Sequence, residues 1–233
     1  MFRNIIPQFY VHQKDIFRCF FSAASGPLAA SVMAFGNKFV FHDIELFTIV
    51  SVHLSPAVSM WGMRWYPDTL EEYFPGVFNL QCKGKQFDFW NPAFTSTCGE
   101  SSGDLVTQLV IYPIIFYVFV WAVPYYIFMF VFSRKTIQEN KYRNMFDDTV
   151  KNTPLFAGKP WLYLCFHFIG TSIMFVLNLV FFRSFHAHTF YLLLLLTVSV
   201  HNGGYYYFEV FAKKYAKNKE EAAANKEDKL HNH

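Results

Sequence analysis

Apolar runs near twenty residues long, broken by short polar connections, recur from one end of the chain to the other. Each is long enough to cross roughly 30 Å of hydrocarbon as a helix. The pattern predicts five spans: Ile16 to Phe35, Phe39 to Trp61, Leu105 to Phe132, Trp161 to Phe182, and Phe185 to about Phe211. Arg18 and several small polar residues dilute the first span. The third is longer than an upright helix needs and contains Pro113 and Pro124, which predicts tilt or a kink. Only Arg183 and Ser184 separate the last two, so a tight helical hairpin is expected there. The expected fold class is all-α: a polytopic membrane protein with about five transmembrane helices.

Composition sharpens this picture. Of 233 residues, 53% are hydrophobic, 21% aromatic and only 16% charged, which excludes an ordinary soluble domain. Met1 to Asp15 has no clear apolar core and cleavage site, so no removable signal is read there, and the first span is able to act as an uncleaved anchor.

Charge sets the orientation. Lys38, the connection from Arg134 to Lys159, and Lys213 and Lys214 share one side. Arg3, Lys14, Arg64, Lys83, Lys85 and Arg183 are spread more thinly on the other. The positive-inside rule then puts the C-terminus in the cytosol and the N-terminus outside. The expected organisation is a membrane-embedded helical domain over 1–215, with a lumenal loop at 64–104, a cytosolic loop at 134–160, and a charged cytosolic tail at 216–233, helical or disordered. Cys82 and Cys98 fall in the lumenal loop, where either a disulfide or two free thiols is chemically permitted. No spacing suggests zinc, and neither a metal nor a nucleic-acid partner is expected; the oligomeric state is left open.

The second span raises a chemical question, because FVFHDIELFTIVSVHLSP carries two histidines and two carboxylates. Ionisable groups in hydrocarbon are costly unless they meet partners or a cavity. If residues 39–61 are one helix, His42 and His53, eleven apart, return to nearly the same face roughly 16 Å from each other, with Glu45 one turn from His42. Pro56 predicts a freed carbonyl and a kink near His53. A neutral imidazole oriented by a partner is a general base; equally, a membrane histidine is a hydrogen-bond donor between helices. The fifth span ends in SVHNGGYYYFEVFAKKY, where Asn202 and Glu209 are seven apart and share a face beside Tyr205 and Tyr206. Gly203 and Gly204 permit close approach of a neighbouring backbone or ligand. In WGMRWY, the faces of Trp61, Trp65 and Tyr66 suit either an interfacial aromatic belt or a quaternary ammonium.

VFHDIELFTIVSVHLSPAVSMWGMRWYP resembles the signature segment of the glycerophosphocholine acyltransferase family, and NGGYYYFEVFAKKY resembles that family's glycine- and aromatic-rich motif. The IYPIIFYVFVWAVPYYIFMF span and the SRKTIQENKYRNMFDD that follows fit its middle region, so the likeness runs from about Phe21 to Tyr215. The family has more membrane helices than are visible here, consistent with an N-terminally shortened member. Leu46 stands where the family has a lysine, weakening a phosphate or CoA contact there.

The resemblance implies an acyl-CoA-dependent O-acyltransferase of the endoplasmic reticulum membrane, active in phospholipid biosynthesis. It would move a fatty acyl group to glycerophosphocholine and form lysophosphatidylcholine, with acyl-CoA as co-substrate and no resident cofactor. His53, His42 and Asn202 are the expected catalytic residues, and Glu45, Arg64, Trp65, Tyr206 and Glu209 the expected substrate contacts. The partners expected are membrane lipids, acyl-CoA and glycerophosphocholine. The alternatives are a non-catalytic membrane subunit of a larger complex derived from this family and, ranking last, a small transporter.

Overall fold

The computed structural model describes residues 5–74, 102–140, 142 and 145–231, and every regular element among them is helical. Cys82 and Cys98 lie outside the described residues.

The first span is α1 (Ile5–Ala23), a wide π turn (Ala24–Leu28) and α2 (Ala29–Ala34). Gly26 leaves helical geometry there (φ −91, ψ −109) one residue before Pro27, whose missing N–H breaks the ladder. The polar groups released at this bend are taken up by three other helices. Asn178 donates to the Ser22 carbonyl at 2.9 Å, Tyr191 donates to the Gly26 carbonyl at 3.4 Å, and the Ser22 hydroxyl donates to the Leu109 carbonyl.

The next elements are α3 (Ile44–Trp65), the short α4 (Asp68–Tyr73), and α5 (Gly103–Phe132). In α5 the expected proline distortion takes the form of wide turns. Thr107–Ile111 and Tyr117–Ala122 are π turns placed directly ahead of the segments that hold Pro113 and Pro124 at their second positions. Helices α6 (Arg134–Asn140) and α7 (Met145–Asn152) lead to α8 (Pro160–Arg183) and the 47-residue α9 (Phe185–His231). Ser184 alone joins α8 to α9 and caps the latter through its hydroxyl to Ala187 N, 3.3 Å. The hairpin is tight: Phe181 stacks on Tyr191 at 4.4 Å. The tail runs on helically as part of α9.

Among the described residues, four helices are long and apolar enough to cross a membrane: Lys14–Ala34, Ile44–Trp65, Gly103–Phe132 and Pro160–Arg183. The expected fifth span forms the first half of α9, where Leu192–Leu196 is flanked by His186, His188, His201 and Asn202, which lower its hydropathy. Phe21, Val50, Leu54, Leu109, Phe175, Phe182 and Leu195 pack in the centre. Phe119, Val131, Ile173 and Phe190 are turned outward, a surface that suits hydrocarbon and not water.

Candidate functional site

One polar cluster forms where the α2–α3 connection meets α9. Helix α2 ends in a Schellman motif: Gly36 N donates to Met33 O at 3.2 Å and Asn37 N to Val32 O at 2.9 Å. Gly36 supplies the left-handed backbone this needs (φ 59) and so fixes where Asn37 stands. Two residues on, Phe39 N donates to the Ser199 carbonyl of α9 at 2.9 Å. The approach is close enough that a Cβ on Gly203 would sit 2.1 Å from Phe39 O. Gly203 is therefore glycine because another backbone occupies its side-chain space.

His42 is not part of the helix that the sequence pattern placed it in. Asp43 is the N-cap of α3, accepting from Glu45 N and Leu46 N, both at 3.1 Å, so the helix starts at Ile44. His42 is exposed in the turn before it and meets the Tyr207 ring edge-on at 6.5 Å. The expected stripe of His42, Glu45 and His53 along one helix face does not form. Glu45 is exposed in the first turn, where a carboxylate suits the positive helix end.

His53 and Asn202 do come together, through a residue the sequence reading passed over. His53 Nδ1 lies 2.6 Å from the Ile49 carbonyl. A carbonyl offers only lone pairs, so Nδ1 carries the hydrogen and Nε2 is left basic. The side-chain amide of Asn37 lies 3.3 Å from the same Nδ1, and Asn202 donates to the Asn37 backbone carbonyl at 3.3 Å. Lys38 completes the cluster with its ammonium 5.1 Å from the centre of the Tyr206 ring. Glu209 stays outside, exposed and paired with Lys213 at 2.6 Å.

A second polar group sits at the far end of α3, around Arg64 and Trp65. Both are buried. Arg64 donates from Nε to Phe182 O at 3.2 Å, with its guanidinium 4.5 Å from the Trp65 ring centre and 4.6 Å from that of Phe182. Trp65 Nε1 donates to His188 Nδ1 at 3.2 Å, and Trp61 Nε1 to Thr189 Oγ1 at 2.8 Å. Arg18 reaches the same Phe182 ring and bonds Gln108. Arg64 is thus held by α3's neighbours, about 16 Å from His53 at eleven residues' separation. A cleft of about 130 Å³ between Met129, Arg134, Phe146 and Gly158 contains none of the predicted site residues.

The helices and their outward apolar surface define an all-α, polytopic membrane protein. Within that class the chain is similar to glycerophosphocholine acyltransferase 1 of Arabidopsis thaliana, 25% identical over 220 residues that cover 88% of this chain and 54% of the relative. The protein of the same name from Ricinus communis is 22% identical, with 88% and 53% covered. That from Schizosaccharomyces pombe is 23% identical, with 92% and 52% covered. These relatives bear out the resemblance read from the motifs, and the chain spans about half the length of the curated relatives it matches. No family model matches the chain, and no solved structure matches it significantly.

Proposed function

We propose that this chain transfers a fatty acyl group from acyl-CoA to glycerophosphocholine, giving lysophosphatidylcholine, with His53 as general base. The observation that carries this reading is the bond from His53 Nδ1 to the Ile49 carbonyl, which leaves Nε2 as a lone-pair nitrogen inside a helical membrane domain. The relatives' names supply the acyl acceptor, at distant identity. A thioester arrives already activated, so the protein has to take a proton and stabilise an oxyanion.

In the step proposed, Nε2 takes the acceptor's hydroxyl hydrogen while that oxygen attacks the thioester carbonyl. The C–O bond forms, the tetrahedral intermediate collapses, and the C–S bond breaks. The imidazolium returns its proton to the leaving thiolate. The second amide hydrogen of Asn202 is available to the oxyanion, and Lys38 on Tyr206 places a cation where CoA phosphates would arrive. An endoplasmic reticulum location, with the start of α3 facing the cytosol, completes the proposal.

Membranes containing the chain, supplied with acyl-CoA and glycerophosphocholine, test it. His53→Ala lowers lysolipid formation on the order of 100-fold or more, and His42→Ala leaves it within about twofold. Full activity in His53→Ala would sink the reading. The share of the relatives' length that the chain spans supports one other reading, a non-catalytic membrane subunit; a folded wild-type chain that makes no lysolipid favours it.

A further inference from the structure

A polar chain crosses the seam between α5 and α8, on helices that carry none of the His53 cluster. The Tyr117 hydroxyl lies 2.5 Å from His167 Nδ1; the Thr171 hydroxyl lies 3.5 Å from the same nitrogen and also bonds Tyr117. If Nδ1 carried the ring hydrogen, it would donate to Tyr117 and Tyr117 to Thr171, leaving the Thr171 hydrogen without an acceptor. A bare Nδ1 satisfies both hydroxyls, because Thr171 then donates to Tyr117 and Tyr117 to His167. The imidazole is therefore neutral, with its hydrogen on Nε2. Trp121 and Tyr117 both stack on this ring, at 5.0 Å and 5.9 Å, and hold its plane.

That Nε2 hydrogen finds no acceptor in the protein. His167 is half-buried, and its Nε2 makes no bond among the described residues and is not enclosed, so it opens onto the outer surface of the bundle. It stands about 10 Å along α8 from Pro160, close under the membrane interface. Acyl tails offer no lone pair, so a donor left facing them is costly. One turn deeper on nearly the same face is Gly170, exposed between the outward side chains of Phe166 and Ile173. Glycine weakens a helix interior, and here no neighbour demands it: a Cβ on Gly170 would meet nothing within 4 Å. Gly203 is explained by the Phe39 backbone, whereas Gly170 leaves an open notch beside an unanswered N–H.

We propose that His167 and Gly170 form a sterol-binding site on the lipid-facing side of the α5–α8 seam. The sterol hydroxyl oxygen accepts from His167 Nε2–H at the interface, and the fused rings lie deeper, against the bare backbone at Gly170 between Phe166 and Ile173. One neutral donor suits one neutral oxygen, and it would leave a phosphate or carboxylate without a countercharge. Phospholipid esters also carry neutral oxygens, but their flexible tails lose freedom when pressed into a fixed notch, and fused rings have little to lose. The site is separate from acyl transfer and holds equally for a chain that catalyses nothing.

Titration of the purified full chain in detergent micelles with radiolabelled cholesterol tests it, and saturable binding is expected. Cholestenone, whose ketone still accepts, competes as well as cholesterol, while cholestane, which has no oxygen, competes about tenfold more weakly or worse. Gly170→Leu fills the notch at a position open enough for the chain to fold, and lowers affinity about tenfold or more. His167→Phe keeps a ring against Trp121 and Tyr117 while removing the N–H, and brings cholesterol down to the affinity of cholestane. No saturable binding, equal competition by cholestane, or unchanged affinity in Gly170→Leu overturns the proposal. Dioleoyl phosphatidylcholine displacing the label as well as cholesterol does would make the occupant an ordinary bilayer lipid and overturn the sterol assignment.

Discussion

The middle of α3 and its C-terminal end solve the problem of polarity in an apolar helix in opposite ways. Around His53, Nδ1 has the Ile49 carbonyl as its acceptor, the Asn37 side chain lies beside it, and Asn202 is tied to the Asn37 carbonyl. All of these groups are neutral. At the Arg64 end a charge is buried among Phe182, Trp65 and His188, with an N–H left over. A neutral imidazole with a backbone acceptor is held in one tautomer from within the protein, whereas a buried charge calls for a counter-ion.

His53→Ala separates the two regions most strongly. Acyl transfer falls by two or more orders of magnitude while the thermal unfolding midpoint stays near wild type, because the ring is only part-buried. Unchanged transfer would erase the distinction between the two regions. Next comes Gly203→Ala, whose Cβ meets the Phe39 carbonyl and costs about 1–3 kcal/mol of stability. Gly204→Ala is its control, since nothing lies within 4 Å of that Cβ, and equal losses in both would remove the loop–helix contact from the account. Asn37→Ala removes the side chain beside Nδ1 and is expected to lower transfer about tenfold, equivalent to about 1.4 kcal/mol. Unchanged transfer would remove Asn37 from the cluster around His53. Glu209→Gln has the smallest effect: the exposed pair with Lys213 is dispensable, and activity stays within about twofold.

The helical class and the extents of most spans were legible because hydrocarbon demands long apolar runs and nothing subtler. The start of α3 was misplaced by treating the apolar run as helix from Phe39. Asp43, ahead of a periodic segment, is the start signal that a capping rule would have supplied. Asn37 was unreadable as a partner of His53 because a turn and another helix bring it there. Its position is still foreshadowed by Gly36, the residue type that ends a helix this way. His188 and Asn178 carried a visible signal, polar side chains inside the hairpin spans, and Arg18 was read only as dilution of the first span. Their meaning comes from long-range neighbours: Trp65, Ser22 and Gln108 are far away in sequence.

The bend at Gly26 bears on how this bundle keeps its axial alignment. Greasy surfaces in lipid slide past one another with little change in energy, so apolar packing alone sets the height of one rod against the next only weakly. Ser22 and Gly26 hand polar groups to α5, α8 and α9 within about one and a half turns, pinning all three against the first span at a single level. Any rearrangement of the bundle must then pivot about that level, and the rods cannot telescope through it without stranding amides and carbonyls in oil.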